Sequence, residues 1–480
     1  MKPLLLVPLV AALAACANIA PDTARHPAAL DAAKLGAAQA DVAWPTETWW
    51  KRYGDPQLDA LIDDAIAGSP SLDTARARLA KAQAAVGVAG AARYPEVNGD
   101  FTATRQRYTE RGIFPPPLGG SINTDARLAL DVGYDLDFWN RNGALLQAAV
   151  SQSRAAQAES HAAQSMLATS VAGAYFNLQR LFAQRQVLNA AIKQRGEVAE
   201  LTRQRFANGL DTQVEVKQAE SALAEARTQA AQNDESIALQ RNQLAALTGA
   251  GPERGAQLRP VPLVNPGTSV PAQIPLDLLG RRADIVAARW RAEAATHNVE
   301  AAKALFYPNV NLSAFVGVSS LGLSNLLRSG SQIAGFGPAI TLPIFEGGRL
   351  NANLQEQRAD TDLAVASYNQ TVIDAVHEVA DTLDSIRALD REANEQRQAR
   401  EAIEKAYELA VTRYRAGLGN YLSVLTAQSA VLTQSRLDTD LKARALTLDV
   451  ALAKALGGGA QLPEDVAAVP QPQALATQVH

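Results

Sequence analysis

The chain has 480 residues, a formal net charge of −4 and 5% aromatic residues. Its length exceeds what one hydrophobic core supports, and its weak negative charge argues against nucleic acid as a partner. The five histidines are scattered without metal-ligand spacing, and no nucleophile–base pair or phosphate-binding loop is visible. We therefore expect no enzyme activity, no metal and no cofactor.

The first sixteen residues, MKPLLLVPLVAALAAC, have the pattern of an export signal. A positively charged start precedes an apolar stretch, Leu4 to Ala12, that is too short to span a bilayer. Cys16 is the only cysteine and follows small residues, so we predict a signal peptide at 1–15 and a lipidated N-terminal linker at 16–55. The alternative is a plain secretory signal with a chance cysteine. Ala17, in place of the aspartate that retains lipoproteins in the inner membrane, favours the outer membrane.

The next feature is an alternation of long and short segments that are poor in glycine and proline. Residues 349–416 contain neither residue type, nor do 210–248 and 420–456, and 144–208 contain no proline and only two glycines. Apolar residues recur in these segments with a 3.5-residue period, which is typical of helices packed side by side. We predict helices at about 141–208, 211–248, 349–416 and 420–456. A helix of 68 residues would be about 100 Å long, the stave of a rod or tube.

Strand patterns precede the two longest segments. Residues 124–137 alternate apolar and polar side chains throughout, and 97–108, 310–319 and 333–344 do so less regularly. In 310–319 the polar positions also hold Phe315. Turn-rich loops join the strands into pairs at about 96–137 and 309–345. The pattern alone is compatible with a soluble β-domain or with part of a membrane barrel.

A repeated stretch explains the order of these elements. Residues 205–223 (RFANGLDTQVEVKQAESAL) match residues 413–431 (RYRAGLGNYLSVLTAQSAV) at seven of nineteen positions. Gly209 and Gly417 fit the left-handed residue that ends a helix, so each copy predicts the tip of a helical hairpin. The chain is thus a duplication with halves at 56–250 and 275–457, each beginning with a helix. The predicted linker is 251–274, and a disordered tail follows at 458–480.

Four strands per chain cannot close a barrel, for which about eight is the practical minimum. A membrane-spanning sheet has to close, because unpaired edges are not tolerated in lipid. The chain must then pool its strands with further copies, and two, three or four copies are arithmetically possible.

Several motifs together resemble one family. They are the N-terminal cysteine signal, WWKRYGDPQLDALIDDAI (49–66), the pair YPEV and YPNV, GYDLDFWNR (133–141), LPIFEGGR (342–349) and the two repeated tips. In this combination the chain resembles the TolC-like outer-membrane efflux factors, in particular their NodT-like lipoprotein branch. The resemblance implies an α+β membrane protein: a homotrimer with a 12-stranded outer-membrane β-barrel continuous with a periplasmic 12-helix α-barrel. It also implies passive export of small molecules, together with a periplasmic adaptor and an inner-membrane pump.

The resemblance also assigns residues at the tips. It implies adaptor docking at Gly209, Leu210, Gly417 and Leu418, and a periplasmic gate at Glu215, Arg413, Tyr414, Ser423 and Thr426. The family often has aspartates where Ser423 and Thr426 stand, so any ring of charge would depend on Glu215. The alternative for the two glycine–leucine pairs is that they only cap and pack the helices. The alternative for Glu215 is a surface charge that pairs with Lys217 or Arg205.

Two other functions remain open at this stage. One is a duct of the same fold for type I protein secretion, against which the lipidated cysteine argues by family analogy. The other is a coiled-coil structural lipoprotein without a pore, against which the long amphipathic strands argue.

Overall fold

The computed structural model describes residues 44–264 and 278–467, together with 19, 21–22 and 26–30. The predicted signal peptide at 1–15, Cys16 and much of the predicted linker at 16–55 lie outside the described residues. The same holds for residues 468–480 of the predicted tail.

The first half of the chain runs from two helices through a strand pair into two long helices. Its elements are α1 (Pro56–Gly68), α2 (Pro70–Ala91), β1 (Glu96–Arg107), β2 (Ile122–Leu136), α3 (Arg141–Ala207), α4 (Gln213–Leu247) and α5 (Pro252–Ala256). The sequence predicts one helix before the strands, whereas the structure has two. Pro70 lacks the N–H that would continue α1, and it opens α2 instead.

The second half repeats this order. Its elements are α6 (Leu278–Arg281), α7 (Ala283–Ala304), β3 (Asn309–Leu321), β4 (Gln332–Thr341), α8 (Arg349–Arg415), α9 (Tyr421–Ala455) and α10 (Glu464–Ala467). Helices α3 and α8 have 67 residues each, and α4 and α9 have 35 each. These equal lengths display the internal duplication, and each long helix extends for about 100 Å.

The four strands form one antiparallel sheet in the order β1-β2-β3-β4. Leu128 pairs with Phe101 on one side and with Val318 on the other, and Leu130 pairs with Val316. Because paired residues share a face, these apolar side chains lie together on one side of the sheet. The opposite side carries the polar residues of β1, β2 and β3, whereas β4 contributes mainly small or apolar residues to it.

The helices pack around several apolar clusters, of which two bear on the tips and on the position of the N-terminal helices. In the first, α1 and a 3₁₀ helix (Trp49–Tyr53) lie on the middle of α3, with Trp49, Leu58 and Tyr175 fully or nearly buried. The second lies toward the far ends of the long helices, where Val198 of α3 and Val424 of α9 share a cluster. Through this second cluster the two helical hairpins support each other.

The chain after α9 differs from the predicted disordered tail. Residues 458–467 are ordered, and Trp290 Nε1 donates a hydrogen bond of 2.7 Å to the carbonyl oxygen of Val466. Val466 is fully buried in a cluster with Trp290 and Ala155. The composition of the tail hides this contact, because two apolar residues, Val466 and the partly buried Leu462, are enough to dock the segment. Likewise, the predicted linker at 251–274 begins with α5.

Candidate gate and docking surface at the helical tips

The two hairpin tips close in the same way. Gly209 has φ +74° and Gly417 has φ +77°, a left-handed conformation that glycine adopts without the penalty of a Cβ. Just beyond them, Leu210 N donates to the Arg205 carbonyl at 2.9 Å and Leu418 N to the Arg413 carbonyl at 2.8 Å. These bonds satisfy carbonyl groups that a helix end would otherwise leave free.

The leucines of the tips are turned outward. Leu210 is 63% exposed and Leu418 is 70% exposed. Two apolar side chains at equivalent positions of the two hairpins therefore form a matched pair of exposed knobs.

The return helices begin with side-chain caps. The Thr212 hydroxyl accepts from Val214 N at 3.2 Å, and Glu215 Oε2 accepts from Thr212 N at 2.9 Å, which together make a capping box. In the second tip, Asn420 Oδ1 accepts from Ser423 N at 3.0 Å and from the Ser423 hydroxyl at 2.7 Å. Two predicted gate residues, Glu215 and Ser423, thus serve to start helices.

Capping also sets the charge of Glu215. The Thr212 hydroxyl and the backbone N–H groups of the first turn donate to its carboxylate, which holds its pKa below the usual value. Glu215 is therefore ionised at any pH near neutrality. Thr426 lies one turn beyond the cap of α9 and is exposed.

The two hairpins are tied together by three residues, Arg205, Asp211 and Tyr414, which we call the tip lock. Tyr414 is 1% exposed, and its hydroxyl donates to Asp211 Oδ2 at 2.5 Å. Arg205 Nε donates to the same carboxylate oxygen at 2.9 Å, and Arg205 Nη1 donates to the Tyr414 carbonyl at 3.0 Å. The lock fastens the end of α8 to the loop between α3 and α4.

Stacking and burial reinforce the lock. The Arg205 guanidinium carbon lies 4.6 Å from the centroid of the Tyr414 ring. Burial, and then the hydrogen bond to Asp211, raise the pKa of Tyr414 to about 12. The hydroxyl consequently remains a neutral donor across the physiological range.

Of the predicted gate residues, only Tyr414 belongs to this network. Arg413 is exposed, and its Nη2 makes a long contact of 3.4 Å to the Leu418 carbonyl. Sequence reasoning assigned no gate role to Arg205 and Asp211, the two other members of the lock. The sequence does contain one signal for Asp211, which is a difference between the two repeats. Asp211 directly follows the glycine–leucine pair of the first tip, whereas the same position of the second tip holds Gly419.

The described part of the chain offers little for other chemistry. It contains no group of three or more histidine, cysteine, aspartate or glutamate side chains able to hold a metal ion. Among the described helices, none is both long and apolar enough to cross a bilayer.

Comparison with known proteins then identifies the family. The model of the family described as "Outer membrane efflux protein" matches residues 61–250 and 274–458. The chain belongs to this family. The two matched ranges follow the two halves of the duplication, so both halves carry the family pattern.

Individual relatives agree with this assignment. The chain is 33% identical over 430 residues to the multidrug resistance outer membrane protein MdtP of Escherichia coli K12, and the match covers 88% of each chain. It is 38% identical over 351 residues to the fusaric acid resistance protein FusA of Burkholderia cepacia, over 71% of this chain and 66% of FusA. The outer membrane protein VceC of Vibrio cholerae has 43% identity and a TM-score of 0.82, and the match covers 87% of this chain and 100% of VceC.

The predicted family and fold class are thereby confirmed. The chain is an outer-membrane efflux protein with the TolC-like α+β fold, in which four strands and the long duplicated helices come from each chain. Members of this family are channels rather than enzymes. The observed sheet and the membership of an efflux family both argue against a coiled-coil structural lipoprotein without a pore.

Proposed function

We propose that the protein is the exit duct of a tripartite efflux system, which conducts small molecules passively from the periplasm to the exterior. The observation that carries this proposal is the four-stranded sheet with one apolar and one polar face, joined to two helical hairpins of equal length. Such a sheet has two unpaired edges, β1 and β4, and needs further copies to close. Three copies give twelve strands and twelve long or returning helices, a barrel continuous with a tunnel.

The names of the relatives support a small-molecule cargo. MdtP is named for multidrug resistance and FusA for resistance to fusaric acid. Lipid on Cys16 would hold the N terminus at the outer membrane.

The tips supply the proposed docking and gating elements. Leu210 and Leu418, each preceded by its glycine, form exposed knobs to which the periplasmic adaptor of an inner-membrane pump docks. The tip lock holds the second hairpin against the first and keeps the periplasmic mouth narrow. Glu215, Ser423 and Thr426 lie in the first two turns of the return helices, where Glu215 would contribute the fixed negative charge.

The first test is the native mass of the protein extracted from outer membranes in mild detergent. The wild type is compared with Cys16→Ser, and both are then tested for conductance in planar bilayers. We expect a trimer that conducts in both cases, because the sheet and not the lipid spans the membrane. A monomer that reaches the membrane only through Cys16 would contradict the exit duct.

A further inference from the structure

One aromatic side chain lies on the wrong side of the sheet for a lipid contact. Phe315 of β3 pairs with Asp131 of β2 and with Gly335 of β4, and Asp131 in turn pairs with Asn98 of β1. Since paired residues share a face, Phe315 belongs to the polar face. Within the four described strands it is the only aromatic residue there, whereas the other aromatic residues, such as Phe101 and Phe336, fall on the apolar face.

Phe315 is held in place rather than loosely exposed. Its ring lies over Gly335, where a Cβ would come within 2.6 Å of the ring carbon Cζ. On its other side, the Arg127 guanidinium carbon is 5.8 Å from the ring centroid. Arg127 is itself fixed by Asp131, with Nη2–Oδ1 at 2.6 Å and Nη1–Oδ2 at 3.0 Å. The ring is therefore pre-oriented on the wall, with 38% of its surface free.

The part of β4 next to the Phe315 ring carries small residues. The polar-face positions of β4 are Ile333, Gly335, Gly337, Ala339 and Thr341, and a Cβ at Gly337 would meet nothing within 4 Å. A flat group can approach Phe315 across this strand without displacing a side chain.

The charge of the same face is strongly negative. The strands place five carboxylates there and one guanidinium, that of Arg127: Glu96, Asp100, Asp125, Asp131 and Asp135. Asp131 lies directly opposite Phe315, and no ion pair of the described residues involves Asp100, Asp125 or Asp135. A positive charge on this wall is attracted, and a negative one is repelled.

We propose that Phe315 is a specificity-determining contact for aromatic cations that pass through the barrel. An aromatic ring of the cargo stacks on Phe315 from the side of β4, while its positive charge is attracted by the excess of carboxylates on the same face, of which Asp131 is already paired with Arg127. Neutral or anionic aromatic compounds gain only the stacking, and non-aromatic cations gain only the charge. The inference rests on the proposed exit duct, because the polar face lines a passage only if the sheet closes into a barrel.

The test measures weak binding to the detergent-purified trimer by saturation-transfer NMR titration. The probe is benzyltrimethylammonium, and cyclohexylmethyl-trimethylammonium serves as a non-aromatic cation of the same charge and similar size. From the strength of aromatic and cation–π contacts at exposed sites, we expect wild type to bind the aromatic probe roughly threefold to tenfold more tightly than the non-aromatic one. Phe315→Leu should remove this preference while it keeps an apolar side chain of similar volume.

Two further variants separate the contact from general effects. Phe336→Leu makes the same change on the apolar face and should leave the preference intact. Gly335→Ala displaces the ring without removing it and should also lower the preference. Equal affinity of Phe315→Leu and wild type for the aromatic probe, or an equal loss in Phe336→Leu, overturns the inference.

Conductance of the same preparations in planar bilayers separates this result from the proposed function. Absence of current in all of them, and also in Tyr414→Phe, which removes the hydroxyl of the tip lock, overturns the exit duct and the inference with it. Current together with unchanged probe preference in Phe315→Leu overturns the inference alone.

Discussion

The tip lock makes a sharp prediction for the variant Tyr414→Phe. The substitution keeps the buried ring, its stacking on Arg205 and its edge contact with Tyr421 at 6.2 Å between centroids. It removes only the hydroxyl that donates to Asp211 at 2.5 Å. The same hydroxyl also contacts Thr202 Oγ1 of α3 at 3.2 Å, so any change in gating reports the loss of both contacts of this one group between the two hairpins.

The size of the effect follows from the surroundings of the bond. A hydrogen bond to a charged acceptor contributes about 1.5–3 kcal/mol. Arg205 still donates to the Asp211 carboxylate after the substitution, so this acceptor is not left without a partner. We therefore take the lower limit, about 1.5 kcal/mol, which corresponds to roughly a tenfold change in an equilibrium constant. The ratio of open to closed channels should rise by about this factor for each lock that opening breaks, which is roughly a thousandfold if all three locks of a trimer break together.

The assay is the open probability of single trimers in planar bilayers at fixed voltage and salt. Tyr421→Phe is the matched control, because Tyr421 is also buried at the tip but none of the described residues hydrogen-bonds to its hydroxyl. An open probability of Tyr414→Phe equal to that of Tyr421→Phe would refute the lock as a gating element.

Three further predictions concern the same chain. Asp211→Asn should also raise the open probability. Combined with Tyr414→Phe, it should give less than the sum of the two free-energy effects, because both changes break one network, and additive effects would contradict this. Leu418→Ser should reduce drug export by cells while the purified trimer keeps its conductance, whereas Leu239→Ser, an equally exposed site on α4, should leave export unchanged. The pKa of His297 is raised, mainly by its hydrogen bond with Glu293. Protonated His297 therefore stabilises the fold at pH values below its unfolded pKa of 6.5, and this stabilisation is lost as the pH rises through its folded pKa. Between pH 6 and 8 the melting temperature should fall more for wild type than for His297→Gln.

Much of the helical architecture could be predicted from the sequence, because long helices depend on local properties. The absence of glycine and proline from 349–416 predicts a helix over almost the residues that α8 occupies, Arg349–Arg415. The end of that helix is also local, since Gly417 takes the left-handed conformation that a glycine after a helix predicts. In the same way, the alternation in 310–319 already groups Phe315 with polar residues.

The tip lock could not be predicted in this way, because it depends on contacts between distant parts of the chain. Tyr414 and Asp211 are 203 residues apart and meet only when the two hairpins pack together. Glu215 illustrates the converse case, a local role that the sequence alone could predict. The family pattern assigns it to the gate, but the sequence Thr212–Glu215 also has the spacing of a capping box, and in the structure that local role employs its carboxylate.

The duplication explains why the lock is asymmetric. The counterpart of Tyr414 in the first hairpin is Phe206, which has no hydroxyl and is 46% exposed, and the counterpart of Asp211 in the second is Gly419. Two equivalent hairpins could in principle exchange two such bonds, but this chain retains only one donor and one acceptor. The first hairpin therefore supplies the fixed carboxylate and the second supplies the removable hydroxyl. A trimer would contain three locks of the same direction, so that opening moves the second hairpin of each chain away from the first.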